Sequence, residues 1–322
     1  MTTHTPIESR LPTFADVETA AKRIEPYVHR TPVLTCHSLN GITGAQLFFK
    51  CENFQKIGAF KFRGACNAIF SLSDEEAKPG VAAHSSGNHA AAVTLAARLR
   101  GIDAYIVMPR TASELKKRAV AGYGAKITFC EPTLRSRETT CAQIVKKTGA
   151  KEIHSYNDPR IIAGQGTAAL ELLQEVSDLE TILAPVGGGG LLSGTALSAS
   201  AMNEQIEVIG VEPEGADDAF RSFHSGAIVP SINPKTIADG LLTSLGDLTF
   251  TIIRRYVHDI VTVSESTIIK AMRMVWERMN IIIEPSSAVP VAALLDKLVD
   301  VKGKKVGVIL SGGNVDLDRL PW

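Results

Sequence analysis

Thr181-Ile182-Leu183-Ala184-Pro185-Val186-Gly187-Gly188-Gly189-Gly190-Leu191 holds a strand, a glycine turn and the opening of a helix in one short stretch. The run 181–185 is almost continuously apolar, as expected for a strand buried on both faces of a parallel sheet. Four missing side chains let backbone N–H groups crowd round an anion, and the helix start at 191 adds partial positive charge. The stretch reads as strand, phosphate cup, helix. It lacks the Lys-Ser/Thr ending of a Walker loop, so a nucleoside triphosphate is not expected. A dinucleotide site would carry G-x-G-x-x-G near the first strand of a βαβ unit, with an acidic residue about 20 positions on. Glu212 lies near that offset, which leaves a nicotinamide-dependent dehydrogenase as a rival reading.

The same alternation runs outward along the chain. Further strands are expected at 46–51, 104–108, 126–130, 207–211 and 305–310, and helices at 87–100, 113–123, 135–148, 191–202, 265–279 and 287–298. Ser73-x-x-Glu76 and Thr111-x-x-Glu114 read as capping boxes. This is an α/β chain with open parallel sheets. In such sheets ligands bind beyond the carboxyl ends of strands. Four loops fall at such ends: 85–89, 187–190, 212–218 and 311–314.

At 322 residues the chain exceeds one typical domain, so two lobes sharing a cleft are expected. Its 34 basic and 34 acidic residues cancel, which gives no reason to expect nucleic acid or an anionic membrane as partner. The N-terminal decapeptide is polar, without the apolar core of a signal peptide. The charge-free stretch 181–203 contains the four glycines and does not read as a membrane span. Cys36, Cys51, Cys66, Cys130 and Cys141 form no C-x-x-C pair, which suits small core residues in a reducing cytoplasm.

Lys61 lies in Gly58-Ala59-Phe60-Lys61-Phe62-Arg63-Gly64, between two phenylalanines where a helical pattern begins. Desolvation there would favour the neutral amine, the form that makes a Schiff base with a carbonyl or with pyridoxal phosphate. The plain alternative is a core Phe60 and Phe62 with Lys61 reaching to the surface. In Ser85-Ser86-Gly87-Asn88-His89, hydroxyls and an amide at a helix start could hold a carboxylate, or one of them could simply cap the helix. Ser311-Gly312-Gly313-Asn314 presents a hydroxyl or is only a turn. Glu212-Pro213-Glu214-Gly215-Ala216-Asp217-Asp218 spaces oxygen ligands for a hard cation, or is a solvated acidic loop. Arg137 in Ser136-Arg137-Glu138 reads from sequence alone as a solvated surface arginine.

In this order, Gly-Ala-Phe-Lys-Phe-Arg-Gly, Ser-Ser-Gly-Asn-His, Gly-Gly-Gly-Gly-Leu and Ser-Gly-Gly-Asn resemble the serine racemase and serine/threonine dehydratase family. These are fold type II pyridoxal-phosphate enzymes (tryptophan synthase β-like), with two open parallel-sheet lobes and the cofactor in the cleft between them. The resemblance runs from about Pro32 to the C-terminus. It implies a small domain at 78–156 and a large one made of 1–77 and 157–322, and a homodimer. It implies that Lys61 carries the cofactor as a Schiff base and that Phe60 packs on the ring. Asn88 would bond the ring hydroxyl, Gly187, Gly188, Gly189, Gly190 and Leu191 the phosphate, and Ser311 the pyridine nitrogen. A hydroxyl at that nitrogen gives no strong push to protonate it, which suits prompt loss of a β-leaving group. Ser85, Ser86, Gly87, Asn88 and His89 would hold the amino-acid substrate, with Lys61 and Ser86 as proton-transfer groups on its two faces. Glu212, the Ala216 carbonyl and Asp218 would hold magnesium, manganese or calcium.

Family racemases place an arginine at the position of Arg137, near the distal end of the substrate, and a second contact at the position of Thr243. A bidentate arginine suits a second carboxylate. The implied activity is therefore a dehydratase (ammonia-lyase) of the 3-hydroxyaspartate type, giving iminosuccinate and then oxaloacetate, with serine racemase or serine/threonine dehydratase as the alternative. A non-catalytic amino-acid sensor has no need of a desolvated lysine. His37, Ile57 and Ala91 depart from the pattern of the ATP-activated racemases, so nucleotide activation is not expected.

Overall fold

The computed structural model describes residues 11–85, 87–112 and 114–322, with the side chain of Leu115 left aside. In chain order the first elements are α1 (Phe14–Ile24), β1 (Val33–Leu34), α2 (His37–Thr43), β2 (Gln46–Cys51), α3 (Lys61–Phe70) and α4 (Asp74–Ala77). Next come β3 (Val81–His84), α5 (Asn88–Arg100), β4 (Ala104–Pro109), α6 (Glu114–Gly122), β5 (Lys126–Cys130), α7 (Leu134–Thr148) and β6 (Lys151–Glu152). The chain continues through α8 (Pro159–Glu175), β7 (Thr181–Pro185), α9 (Gly190–Met202), β8 (Glu207–Pro213) and α10 (Asp218–Ser225). It ends with α11 (Asp247–Tyr256), β9 (Asp259–Val263), α12 (Glu265–Met279), α13 (Pro285–Leu295) and β10 (Lys305–Leu310).

Two sheets result. One has the order β1-β2-β10-β7-β8-β9, parallel except for the short β1–β2 pair, and the other has the order β5-β4-β3-β6, parallel throughout. Helices α2, α12 and α13 share a core with one face of the larger sheet, and α8 to α11 with the other. Burial on both faces explains the unbroken apolar runs of β7 and β10. In the smaller sheet β4 and β5 lie to one side of β3 and β6 to the other, so the reversal of strand order falls at the loop leaving β3. A switch point of this kind opens a crevice for ligand.

The six expected strands and six expected helices all form, with ends shifted by a few residues. The 73–76 capping box is present, the Ser73 hydroxyl accepting the Glu76 N–H while Glu76 accepts the Ser73 N–H. Thr111 does not cap α6: the Ala112 N–H bonds back to the Pro109 carbonyl, making a turn, and the helix starts at Glu114. The longest helix, α8, has no counterpart in the sequence reading, because nearly every residue from Ile161 to Leu173 is buried and no polar stripe marks a helical period. It packs backbone-close on two neighbours. A Cβ on Gly164 would lie 2.6 Å from the Gly64 Cα of α3, and one on Gly194 of α9 would lie 2.5 Å from the Gly166 nitrogen.

Arg63 of α3 is fully buried. Its guanidinium forks onto Glu52 at 2.7 and 2.9 Å and onto Glu171 of α8 at 2.7 and 2.8 Å. Lys50 completes the set, its Nζ donating to Glu171 at 2.6 Å and to the Thr31 carbonyl at 2.7 Å. Burial works against charge on Arg63, and the two carboxylates together more than offset it. The network joins the strap leading to Lys61 to α8. Removing one partner of a buried set strands the others. Arg63→Ala is expected to lower unfolding free energy by about 3–5 kcal/mol, read by urea denaturation, and a loss well below that range would show that the network is not load-sharing.

Candidate active site

One cavity of about 500 Å³ opens between the two sheets. Phe60, Lys61, Ser85, Gly87, Asn88 and His89 line it, as do Gly187 to Leu191, Arg137, Thr243 and Ser311. Of the residues expected in the cleft, Ser86 alone lies outside the described residues.

Lys61 is the first residue of α3. The segment before it is tied to the 311–313 loop: the Phe60 N–H donates to the Ser311 carbonyl, the Gly313 N–H donates to the Gly58 carbonyl, and Ala59 bridges Gly312. Its Nζ donates to the Ser155 carbonyl at 2.8 Å and sits 5.1 Å from the centroid of the Phe60 ring. Burial pulls its pKa down to about 8, against the opposing pull of Glu284. The amine is thus neutral far more often than that of a surface lysine.

The cup follows β7. Gly189 has φ +88°, a left-handed conformation, and a Cβ there would meet Ile253, Leu245 and Thr249 at 2.9 Å. A Cβ at Gly188 would lie 2.3 Å from the Tyr156 ring. The glycines are required by what walls them in. The Thr249 hydroxyl holds the Gly188 carbonyl at 2.8 Å, and α9 begins at Gly190 with no side-chain cap, so its first N–H groups remain for an anion.

At the β3 crossover the Ser85 hydroxyl accepts the Gly87 N–H at 3.3 Å. The Asn88 amide donates to both oxygens of Glu284, at 3.0 and 3.2 Å, and accepts from the Asn314 amide at 2.9 Å. The His89 imidazole turns inward, its Nε2 at 2.9 Å from the Ile153 carbonyl, and burial drives its pKa to about 3. What His89 offers the cavity is therefore a neutral residue at a helix start. Ser311 is buried at the end of β10, its Oγ 3.4 Å from that of Ser287.

Arg137 on α7 is half-buried, and its side chain makes no hydrogen bond or ion pair to another described residue. Glu212 lies near the end of β8 and Asp218 opens α10; neither is itself in this lining, although Ser231, which lines the cavity, lies beside Asp218. Glu212 accepts the Ala219 and Phe220 N–H groups at 3.1 and 2.8 Å, and burial pushes it up to about 9. Burial raises Asp218 to about 6; Ser231 lies beside it and lowers it, yet neither carboxylate oxygen has a partner of normal hydrogen-bond geometry. Among the described residues no three His, Cys, Asp or Glu side chains gather as a metal site, so a cation there would need the Ala216 carbonyl and solvent as well.

Several lining residues escaped the sequence reading. Glu284, fully enclosed and raised to about 7 by burial, organises Asn88 and the Asn314 N–H. It ends the apolar run Ile281-Ile282-Ile283 just before Pro285, and a lone carboxylate in that setting is a legible signal. Ser155 and Tyr156 follow β6, whose two residues are too few to show a period. His154 accepts two backbone N–H groups on Nδ1, and burial lowers it to about 4, so it is neutral. Lys116 of α6 pairs with Asp239 across the mouth of the cavity.

These surroundings set the reactivity of Lys61. Its labelling by a small aldehyde with borohydride is expected to reach half its plateau near pH 8, whereas surface lysines follow about pH 10.4. Peptide mapping across a pH series reads this, and labelling in step with the surface lysines would contradict it.

Comparison with known proteins gives the site a setting. The chain is 53% identical over 312 residues to the β-hydroxyaspartate dehydratase of Paracoccus denitrificans, covering 97% of this chain and 99% of that one. It is 50% identical to the L-threo-3-hydroxyaspartate ammonia-lyase of Saccharomyces cerevisiae, over 96% of this chain and 95% of the other. The crystal structure of serine racemase from Dictyostelium discoideum superposes with a TM-score of 0.91 at 51% identity, over 95% of this chain and 99% of that one. The family model for pyridoxal-phosphate dependent enzymes matches residues 24–312. With its α/β architecture, its parallel sheets and this match over nearly its whole length, the chain belongs to the pyridoxal-phosphate-dependent enzymes of fold type II.

Proposed function

We propose that this enzyme eliminates water from 3-hydroxyaspartate. The product is iminosuccinate, which a water molecule converts to oxaloacetate and ammonia. The observation that carries the substrate assignment is Arg137, a half-buried residue lining the cleft whose side chain meets no carboxylate among the described residues. Serine or threonine would leave it unmet, whereas a β-hydroxy dicarboxylate would fill it, with Thr243 as the second contact. The two hydroxyaspartate-named relatives support the same reading.

The residues present fit pyridoxal phosphate: an uncapped glycine-walled helix start for the phosphate, a desolvated amine, and a buried hydroxyl at Ser311. When bound, the cofactor supplies an electron sink that acidifies the α-carbon of an amino acid. Gly187 to Gly190 and Leu191 would hold its phosphate, Phe60 its ring face, Asn88 its ring hydroxyl and Ser311 its pyridine nitrogen. The helix start at Gly87, Asn88 and His89, with Ser85, would hold the α-carboxylate. Lys61 Nζ takes the α-proton, for which its lowered pKa leaves a free lone pair near neutral pH. The β-hydroxyl then departs as water, taking up one proton. Ser86 is assigned the opposite face of the substrate. The Lys116–Asp239 pair helps keep the mouth closed to bulk water.

The acidic loop is assigned a divalent cation, magnesium, manganese or calcium, at Glu212, the Ala216 carbonyl and Asp218. The two Asp218 oxygens, which have no partner of normal hydrogen-bond geometry among the described residues, support it, since buried carboxylate oxygens call for a proton or a cation. Residues 78–156, which contain the whole four-stranded sheet, are assigned to the small lobe, and 1–77 with 157–322 to the large one. No helix of the described residues is long and apolar enough to cross a membrane, and five buried free thiols suit a cytoplasmic setting. A homodimer is the assembly proposed.

Two measurements test this. Arg137→Ala is expected to lower kcat/KM for 3-hydroxyaspartate about 10- to 150-fold, the range of one charged hydrogen-bonded contact, while serine turnover holds. Undiminished hydroxyaspartate turnover would remove the substrate assignment. Chelation with EDTA should lower Tm, and magnesium at 100 times its Kd should restore about 2.7 kcal/mol. Glu212→Gln should abolish that response, and a Tm indifferent to EDTA would refute the cation site.

A further inference from the structure

Helix α13 starts from Glu284 as N-cap, and Ser287 is its third residue. The Ser287 side chain is fully enclosed. Its Oγ accepts the Gly312 N–H at 2.8 Å and lies 3.4 Å from the Ser311 Oγ. A hydroxyl carries one proton and two lone pairs. The Gly312 N–H occupies a lone pair and leaves the Ser287 proton to be placed. Among the described residues no carbonyl or carboxylate accepts that proton. The Ser311 oxygen is its one neighbour able to do so, and an unpaired hydroxyl proton in a closed interior is penalised. Ser287 therefore donates to Ser311. Ser311, receiving on its oxygen, is left with its own proton for the cavity that it lines. The neighbouring Ser286 cannot substitute, because its Oγ turns away to accept the Gly240 N–H at 3.1 Å.

We infer that Ser287 is a positioning residue for this reaction, fixing Ser311 as a hydrogen-bond donor toward the cofactor's ring nitrogen and so keeping that nitrogen unprotonated. The inference rests on the assignment of Ser311 to the pyridine nitrogen made above. A donor hydroxyl pairs with a neutral pyridine lone pair, whereas a pyridinium N–H would face it proton to proton. A neutral ring draws electrons less strongly, so negative charge at the α-carbon is brief. Loss of the β-hydroxyl then outruns return of a proton to the other face. In this way a serine that touches neither substrate nor cofactor biases the site toward elimination and away from racemisation.

The test uses holoenzyme loaded with pyridoxal phosphate labelled with ¹⁵N in the ring. The wild-type nitrogen resonance should lie at the free-base position. Ser287→Ala removes the bond that fixes the Ser311 rotor with its proton toward the cavity, so the hydroxyl can turn a lone pair there instead and the resonance should move toward the pyridinium position. The ratio of racemisation to elimination should rise with it about two- to tenfold, the range of one neutral hydrogen bond. Ser287→Thr, which keeps the hydroxyl, should hold both readings at wild type. Ser287→Cys, whose S–H is a weak donor, should shift them in the same direction as alanine and serves if the alanine variant does not fold. A pyridinium resonance in the wild type, or Ala and Cys variants that leave both readings unchanged, would overturn the inference. A wild-type chain that takes up no label would overturn the site assignment beneath it, and is told apart by the missing signal.

Discussion

Holding the Lys61 amine largely out of bulk water, without a carboxylate bonded to it, is the constraint on which the rest of the site depends. Two cations stand two residues apart at the start of α3, and the fold treats them in opposite ways. Arg63 receives Glu52 and Glu171 and stays charged in the interior. Among the described residues Lys61 receives the Ser155 carbonyl and an aromatic face, with Glu284 near enough to moderate the loss of charge. The first arrangement anchors the helix start. The second uses that anchored position to hold an amine near the point of losing its proton, which is the state a nucleophile and proton acceptor requires.

The anion cup shows the same division of labour. Its glycines are not simply flexible; they sit where side chains would collide with Tyr156 from the end of the smaller sheet and with residues at and just before α11. A phosphate-sized space is therefore shaped jointly by both sheets. The strap before Lys61 is also built across them: the Asn314 amide bonds both the Asn88 oxygen and the Ile57 carbonyl, and Ile57 is a β-branched residue held at φ +60°. Such a conformation persists only where its surroundings over-determine it. Here the backbone bonds to the 311–313 loop and the Asn314 amide supply that restraint.

Much of this was legible in the sequence, for reasons that differ by element. Strands β2, β7 and β10 formed at the bounds expected for them, because burial writes an apolar run between turns, and β5 did so as a largely exposed edge strand. The four loops at strand ends were found because glycine and small polar residues cluster there, and three of them meet in one cavity. Helix α8 was not found, because full burial erases the polar stripe that marks a helical period. Tyr156 and His154 were not found, because they depend on a two-residue strand that only its partner β3 defines. Arg137 looked like a solvated residue until the fold brought α7 to the cleft. Charge pairing over long separations, such as Arg63 with Glu171, has no local signature at all.

The most direct test of the central claim is chemical. Protein supplied with pyridoxal phosphate, reduced with borohydride, digested and mapped by mass should carry one pyridoxyl adduct, on the peptide containing Lys61. A colourless protein with no adduct there, or an adduct on another lysine, would contradict the account of a desolvated amine built to hold the cofactor.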